Sequence, residues 1–554
     1  MSITRVVIKN FRCFKMANVS FKKCHALIGE NGCGKTTILE AINLATSSGY
    51  SHITEHDFNN ADEGDLEITV FFDKPFLCKI PDGYTTQDIL CQSVVFSAHR
   101  RKQAAGGKAL SDPFVTEKYA VPILYNSKDE FHDIDLESLS SKIPDKILKT
   151  EQGYESPRKT SGSAFRFTQQ RLSLQNELIN YSNVFYFDRE RESEASTGFN
   201  TLLSKIIKDL NWRYRNKWTQ VDIVQKWNEF YQQVIDTVID PKNDRIMRPL
   251  GEKLQKIVSI KCDNLELSLL DLEQPFLKSF FSLRDGSNQI DQKNLGSGIS
   301  ILLAYFLLEI ISNLSKGEIV FLIDEPELHL HPQLQSRLFA EFQKSLSQII
   351  YTTQSDCFIS IADWMSISRF GRDFKNTPET ARLNEDLEGK KVSEHLDEIK
   401  TFHQHKAIFF REDNQIFFAS KCLIVEGPAE KYGVPVLANK LNKDLCDVTI
   451  ISANGKSKIP YYQLLCKSFG IPYFTVVDLD GMKKDASDNK RPCSWIMDNA
   501  LAVFDKSFEE ELGVSRTAEH KVSKVLMKID EMAIDKITET IKKNIESIVQ
   551  WCKE

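Results

Sequence analysis

The chain has 554 residues, of which 41% are apolar, 10% aromatic and 27% charged. At roughly 150 residues per domain this is three or four units, with enough apolar side chain for sizeable cores, which excludes one small domain and a chain that must stay disordered. The formal net charge of −6, from 71 basic and 77 acidic residues, argues against a surface coated with cations, so any nucleic-acid binding must be local.

No apolar run reaches the roughly 18 residues of a membrane span; the longest, 299–311, carries Ser300 and Glu309 and is expected to be a buried helix. The opening stretch places Arg5 and Lys9 among its apolar residues and has neither an h-region nor a small-residue cleavage site. A cytoplasmic protein without a membrane partner is therefore expected. The 12 cysteines are scattered singly with no Cys-x-x-Cys pair, which reads as reduced thiols rather than a disulfide framework.

Taken in chain order, short apolar runs predict strands at 6–8 and 25–28, a glycine-rich turn, and a helix beginning near Lys35. An acidic stretch leads into alternation at 66–70, an expected antiparallel strand. From about 87 to 290 the pattern loosens, and this region is expected to be a mostly helical insertion that serves dimerisation. Order returns with the buried helix and a strand at 319–323, then fades over 376–400. Beyond that, strand, helix, strand, helix, strand is predicted at 422–425, 431–441, 448–451, 458–469 and 473–477, which implies a second α/β domain with a parallel sheet. The expected domains are thus 1–86 and 291–400 as two parts of one unit, 87–290 inserted between them, and 401–554. No internal repeat is visible.

Gly29-Glu30-Asn31-Gly32-Cys33-Gly34-Lys35-Thr36 fits G-x-x-x-x-G-K-[ST] and lies between an apolar strand and a helix, where that motif works. Such a loop curls backbone N–H groups around phosphates, with Asn31, Gly32, Cys33, Gly34, Lys35, Thr36 and Thr37 in the binding segment, Lys35 reaching the β- and γ-phosphates and Thr36 offering a hydroxyl to Mg²⁺. A second half follows at 319–323, an apolar strand ending in Asp324-Glu325: Asp324 is expected in the Mg²⁺ shell and Glu325 as the carboxylate polarising water.

Two features narrow the class. Asn294-Leu295-Gly296-Ser297-Gly298 resembles the signature loop of ABC-type ATPases, in which Ser297 and Gly298 would cap the γ-phosphate of a second subunit. Pro326-Glu327-Leu328-His329-Leu330-His331-Pro332 is similar to the D-loop segment of SMC and OLD-type ATPases, and Ile8-Lys9-Asn10-Phe11-Arg12 to the first strand of SMC, RecF and OLD ATPases. His329 and His331 have no third ligand at suitable spacing and do not read as a metal site. The departure is at Tyr351-Thr352-Thr353-Gln354, where the resemblance implies histidine at the position held by Gln354. An amide can bond a γ-phosphate but cannot trade a proton, so slow hydrolysis is expected.

The C-terminal region carries a second constellation. Glu426 and Glu430 follow one predicted strand, Asp478-Leu479-Asp480 ends another, and Asn454-Gly455-Lys456 follows the strand between them in sequence. Acids at the ends of neighbouring parallel strands converge on one edge, where hard oxygen ligands suit Mg²⁺ or Mn²⁺. Capping of helices by strand-end acids is the other reading. The arrangement resembles the Toprim domain, which implies Glu426, Glu430, Asp478 and Asp480 as metal-binding and catalytic acids. Glu509 in Phe508-Glu509-Glu510-Glu511-Leu512 resembles the further acidic motif of OLD-family nucleases, with an ordinary acidic surface helix as the alternative. Lys521 or Lys524 would supply the cation that stabilises the transition state.

An ABC-type P-loop ATPase head followed by Toprim resembles the OLD (overcoming lysogenization defect) family. The resemblance implies an ATP-dependent, Mg²⁺- or Mn²⁺-requiring DNA endonuclease or nickase, a homodimer or higher oligomer, and a role in phage defence alongside a helicase-like or retron RNA/DNA partner. The rival reading is an ATP-switched clamp of the SMC/RecF kind without nuclease activity. Two basic stretches stay open: His99-Arg100-Arg101-Lys102 reads as a solvated loop or a phosphate contact, and 212–218 as a helix core stripe or a single-strand platform.

Overall fold

The structure is a computed structural model that describes residues 2–47, 53–59, 64–82, 85–100, 114–122, 184–188, 319–328, 330–371, 414–445, 447–496 and 500–553, with short pieces between these stretches. Ser297, Gly298, His329 and the stretch 212–218 lie outside the described residues. The chain divides into two compact units, the first Met1–Leu27, Gly32–Phe358 and Arg372–Lys375 and the second Ile28–Asn31, Ile359–Gly371 and Asn376–Glu554.

In the first unit an antiparallel sheet begins with β1 (Ile3–Phe11) and β2 (Phe14–Ser20). β3 (Cys24–Gly29) leads through the glycine turn into α1 (Lys35–Thr46). β4 (Leu66–Asp82), β5 (Thr85–Arg100) and β6 (Phe114–Pro122) extend the antiparallel sheet in the order β2-β1-β4-β5-β6. The alternation at 66–70 is the half-buried strand that its pattern requires, with Leu66, Ile68 and Val70 fully buried.

β5 crosses the expected boundary at residue 86, so the first part of the supposed helical insertion is sheet. Its Val94, Val95 and Phe96 are β-branched or aromatic and buried, and they register against Val70, Thr69 and Ile68 of β4. His99 and Arg100, read from sequence as the start of a basic loop, instead end this strand, with Arg100 paired to Glu55 at 2.6 Å and stacked 4.3 Å over the Phe58 ring. Most of 87–290 lies outside the described residues.

A parallel run in the order β7 (Val184–Phe187), β8 (Val320–Ile323), β9 (Gln348–Thr352), β3 forms the centre of this unit, flanked by α1 and by α2 (Pro332–Lys344). Buried on both faces, β8 and β9 are continuous apolar runs, as a central parallel strand must be. Tyr305, Phe321, Phe342, Tyr351 and Phe358 interlock with centroids 5.1–6.1 Å apart, burying α2 against the sheet. Gln348, buried at the start of β9, takes the N–H of Ile3 at 2.7 Å and donates to the carbonyls of Ile3 at 2.7 Å and Lys22 at 3.2 Å, so a polar side chain in the core is satisfied by backbone.

The second unit is built on a four-stranded parallel sheet. β10 (Lys421–Val425), α3 (Pro428–Lys440), β11 (Val448–Ser452), α4 (Ile459–Ser468) and β12 (Tyr473–Asp478) follow the order read from the sequence, and β13 (Leu501–Phe504) adds a fourth strand that the sequence reading missed. Spatial order is β11-β10-β12-β13, all parallel. The order reverses at β10, which makes the carboxyl ends of β10 and β12 the switch point where open sheets place their chemistry. α5 (Phe508–Glu511), α6 (Lys521–Glu531) and α7 (Glu539–Lys553) complete the core, with Phe508, Val525, Ile529 and Ile545 fully buried. The strand Ile367–Phe370 neighbours β3 in the sheet of the first unit, while the Arg369 guanidinium donates to the carbonyls of Phe417, Ala419 and Phe469.

Candidate functional site

The chemistry-bearing residues fall into two sets, one around the phosphate loop and one at an edge of the second unit's sheet. In the first, Gly34 ends the phosphate loop at φ 91, and a Cβ there would come within 2.6 Å of both Cys13 Sγ and Phe14 Cζ, so the turn into α1 requires glycine. Lys35 is buried beside Cys33, its Nζ 4.0 Å from that sulfur, while Asn31 and Gly32 are exposed. Thr37 bonds Cys13, whose thiol burial pushes up.

β9 lies between the strands that carry the two nucleotide motifs, and it supplies the groups that order the carboxylates. Thr36 Oγ1 donates to both oxygens of Asp324 at 3.0 Å. The Thr352 hydroxyl also donates to Asp324 and accepts the N–H of Glu325 at 2.9 Å, which fixes Glu325 in its left-handed conformation, φ 47. Burial raises the Asp324 carboxyl above the usual range; the two threonine bonds oppose this and the Glu325 and Asp188 charges add to it.

Gln354 donates from Nε2 to Glu325 Oε1 at 2.5 Å. The residue that departs from the expected histidine is thus the hydrogen-bond partner of the expected water-polarising acid. Glu327, to which sequence reasoning gave no role, holds the same loop: its Oε1 accepts from Thr353 Oγ1 at 2.8 Å and from the N–H of Gln354 at 2.7 Å, and burial raises its carboxyl. His331 caps α2, its Nδ1 accepting from the N–H of Gln333.

In the second unit the acids gather at the carboxyl edge of the sheet. Glu430, Asp478 and Glu509 are buried and present oxygens within 4.8 Å of one another. Two of them follow from helix starts. Glu430 caps α3, accepting the N–H of Gly427 at 3.1 Å, and Ser507 and Glu510 form a capping box that turns Glu509 inward on α5. α5 can lie this close because α3 has Gly433 at the contact, where a Cβ would meet the Phe508 ring at 2.7 Å. Asp478 spends one oxygen on the N–H of Phe508 at 3.1 Å and leaves Oδ1 buried without a partner, as is Glu426 Oε2.

Carboxylates this close repel by about 3 kcal/mol per pair at an effective dielectric near 20. Accordingly Asp478 is pushed up to about 9, first by burial and then by the Glu430 charge, and Glu430 up to about 7, first by burial. Burial likewise raises Glu426, with Lys456 the chief opposing influence. Unpartnered buried oxygens from hard donors fit a divalent cation, which Glu430, Asp478 and Glu509 would hold with Glu426 beside them. Capping therefore does not exclude metal binding at this edge, since Asp478 keeps an unpartnered oxygen beside the one that takes the Phe508 N–H.

The remaining expected residues separate. Lys521, half-buried, is ion-paired with Glu509, whereas Lys524 is exposed and makes no ion pair among the described residues. Asp480 lies outside the converging three and is held by Lys456 and Arg516, two cations the sequence reading did not assign to the site. Lys456 follows the turn at Asn454 (φ 53) and Gly455 at the end of β11, a position that could have flagged it. No helix among the described residues is long and apolar enough to cross a membrane.

Residues 1–359, well over half of the chain, match the AAA ATPase domain family, and residues 417–480 match the Overcoming lysogenization defect protein-like TOPRIM domain. The chain is 22% identical over 585 residues to the OLD nuclease of Thermus scotoductus (strain ATCC 700910 / SA-01), covering 99% of this chain and 98% of that protein. It is 24% identical over 248 residues to the Old nuclease of Escherichia phage P2, covering 42% and 41% respectively. Among solved structures, an SMC head bound to the C-winged helix domain of ScpA is similar at a TM-score of 0.38 and 15% identity, over 65% of this chain and 91% of that one. An AAA ATPase domain followed by an OLD-like Toprim domain, on a chain similar along its whole length to an OLD nuclease, makes this protein a member of the OLD family of ATPase–Toprim nucleases.

Proposed function

We propose that this chain is a divalent-metal-dependent DNA endonuclease or nickase whose Toprim site is controlled by ATP bound to the first unit, acting in defence against phage. The observation that carries the nuclease reading is the convergence of Glu430, Asp478 and Glu509 with a buried, unpartnered oxygen on Asp478. Mg²⁺ or Mn²⁺ held there supplies Lewis acidity and an acidified water for attack on a phosphodiester. Lys521, paired with Glu509, is placed to meet charge on the reacting phosphate, and we assign it that role in preference to Lys524.

At the nucleotide site, Thr36 and Asp324 would hold the Mg²⁺ of ATP, Lys35 would contact its phosphates, and Glu325 would orient the attacking water. Gln354 ties Glu325 through a neutral amide that cannot accept its proton, which favours slow turnover and ATP as a clamp. A homodimer or larger assembly, with Ser297 and Gly298 closing over a neighbour's nucleotide, completes the proposal.

The test is incubation of supercoiled plasmid with Mg²⁺ or Mn²⁺, with and without ATP or a non-hydrolysable analogue. Nicking that is lost in Asp478→Ala and supported equally by ATP and the analogue is expected. Intact supercoils under every metal condition, with DNA retained only when ATP is bound, would instead favour the clamp.

A further inference from the structure

Gln354 is exposed, so packing does little to fix the side chain whose amide meets Glu325. What holds it is its main chain. Glu327 Oε1 accepts the N–H of Gln354 at 2.7 Å and the hydroxyl of the fully buried Thr353 at 2.8 Å. The Glu327 backbone is gripped in turn by α2: Gln335 donates from Nε2 to the carbonyls of Glu327 at 3.3 Å and Leu330 at 2.9 Å, and its Oε1 accepts the Ser355 hydroxyl at 2.7 Å. The loop that follows β8 and the loop that follows β9 are thus stitched together by the Glu327 carboxylate and the Gln335 amide.

Glu325 depends on that stitching. It stands in a left-handed conformation that a non-glycine residue keeps only when its surroundings impose it, and the groups that orient it, the Thr352 hydroxyl at its N–H and the Gln354 amide at Oε1, both come from the end of β9 and the residues just beyond. We propose that Glu327 is a positioning residue for ATP hydrolysis: by fixing the main chain at 353–354 it sets the Gln354 amide on Glu325, and through it the direction of that carboxylate. The inference rests on the reading of Glu325 as the acid that orients water, and adds to it a residue outside both the glycine loop and the Asp324-Glu325 pair.

The experiment measures steady-state ATP turnover and, separately, equilibrium ATP binding on the full chain. Glu327→Asp keeps the charge but is one methylene too short to reach both donors, and it should lower kcat about tenfold with ATP affinity unchanged, as fits one displaced hydrogen bond to a charged group. Glu327→Gln keeps an oxygen that can accept both bonds and puts its nitrogen where Oε2 is buried without a partner, so it should restore most of the lost turnover. In a Gln354→Ala background, itself slow, Glu327→Asp should cost nothing further, because the two residues act through one contact. A general structural defect would lower kcat by the same factor in both backgrounds, and that additivity would overturn the inference, as would a Glu327→Asp variant at the wild-type rate, a glutamine variant as slow as aspartate, or ATP affinity falling in step with kcat. Wild-type turnover in Glu325→Gln would sink the reading of Glu325 and the inference with it, whereas a slow Glu325→Gln beside additive Glu327 and Gln354 effects would sink only the inference.

Discussion

Replacing Thr352 by valine removes one hydroxyl from the centre of the nucleotide site at nearly constant volume. That hydroxyl is fully buried, donates to Asp324 and accepts the N–H of Glu325 at 2.9 Å. The valine variant deprives Asp324 of a bond to a charged acceptor, worth about 1.5–3 kcal/mol, and leaves a buried N–H unsatisfied at about 1–3 kcal/mol, so a loss of about 3–5 kcal/mol is expected. Glu325 then also lacks the bond that fixes its φ of 47. Thr352→Ser keeps the hydroxyl and forfeits one buried methyl, about 1 kcal/mol. Because the chain has two units, stability is read from the unfolding transition that shifts when ATP is added. Turnover should fall in the valine variant while nucleotide affinity persists, since the phosphate loop and Lys35 are untouched. A valine variant within about 0.5 kcal/mol of wild type, inside the scatter of ordinary surface substitutions, or less damaging than serine would refute the reasoning.

Lys35→Ala should abolish nucleotide binding in a filter assay, whereas Glu325→Gln should bind ATP normally and hydrolyse it slowly; equal loss of binding in both contradicts the roles assigned. His25 sits fully buried in β3, its Nδ1 accepts the N–H of Lys22 at 3.3 Å, and burial holds its pKa at about 3. The folded pKa lies below the unfolded value, so the native state resists a proton the unfolded chain accepts, and stability is lost as pH falls through 6.5 towards 3. The first unit should lose about 2 kcal/mol between pH 7 and 5, and His25→Gln should flatten that dependence in thermal melts. At the acid cluster the sign is reversed in origin: Asp478 and Glu430 are raised, so without metal the native state keeps protons the unfolded chain has released, and stability falls as pH rises from about 4 towards 9. Mn²⁺ must displace those protons, so its thermal stabilisation should grow from pH 6 to pH 8.5; equal shifts at both would count against metal binding by these acids.

Much of the second unit was legible because its strands and helices are short, uniform and punctuated by turn residues, and the five predicted elements appear within a few residues of their expected ends. The fourth strand was missed because Leu501–Phe504 is only four residues long and follows no glycine turn, yet it carries the chain back to the edge where Glu509 meets the other acids. The P-loop and the Asp324-Glu325 strand were equally clear, since phosphate binding demands glycines at fixed offsets. The pairing of Lys456 and Arg516 with Asp480 was not: the turn Asn454-Gly455 marks the place of Lys456, but an isolated cation such as Arg516 looks like surface in sequence. The sheet over 85–100 was obscured by its length, because β4 and β5 form one long hairpin whose outer part lacks the alternation that marks the inner part.

The two sites hold their acids by different means, and the difference bears on what each can do. Asp324 accepts from two threonine hydroxyls and Glu325 from the Gln354 amide, neutral donors that orient a carboxylate without cancelling its charge. At the Toprim edge, Lys456, Arg516 and Lys521 are already paired with Asp480 and Glu509, and protons raised onto Asp478 and Glu430 relieve the remaining repulsion.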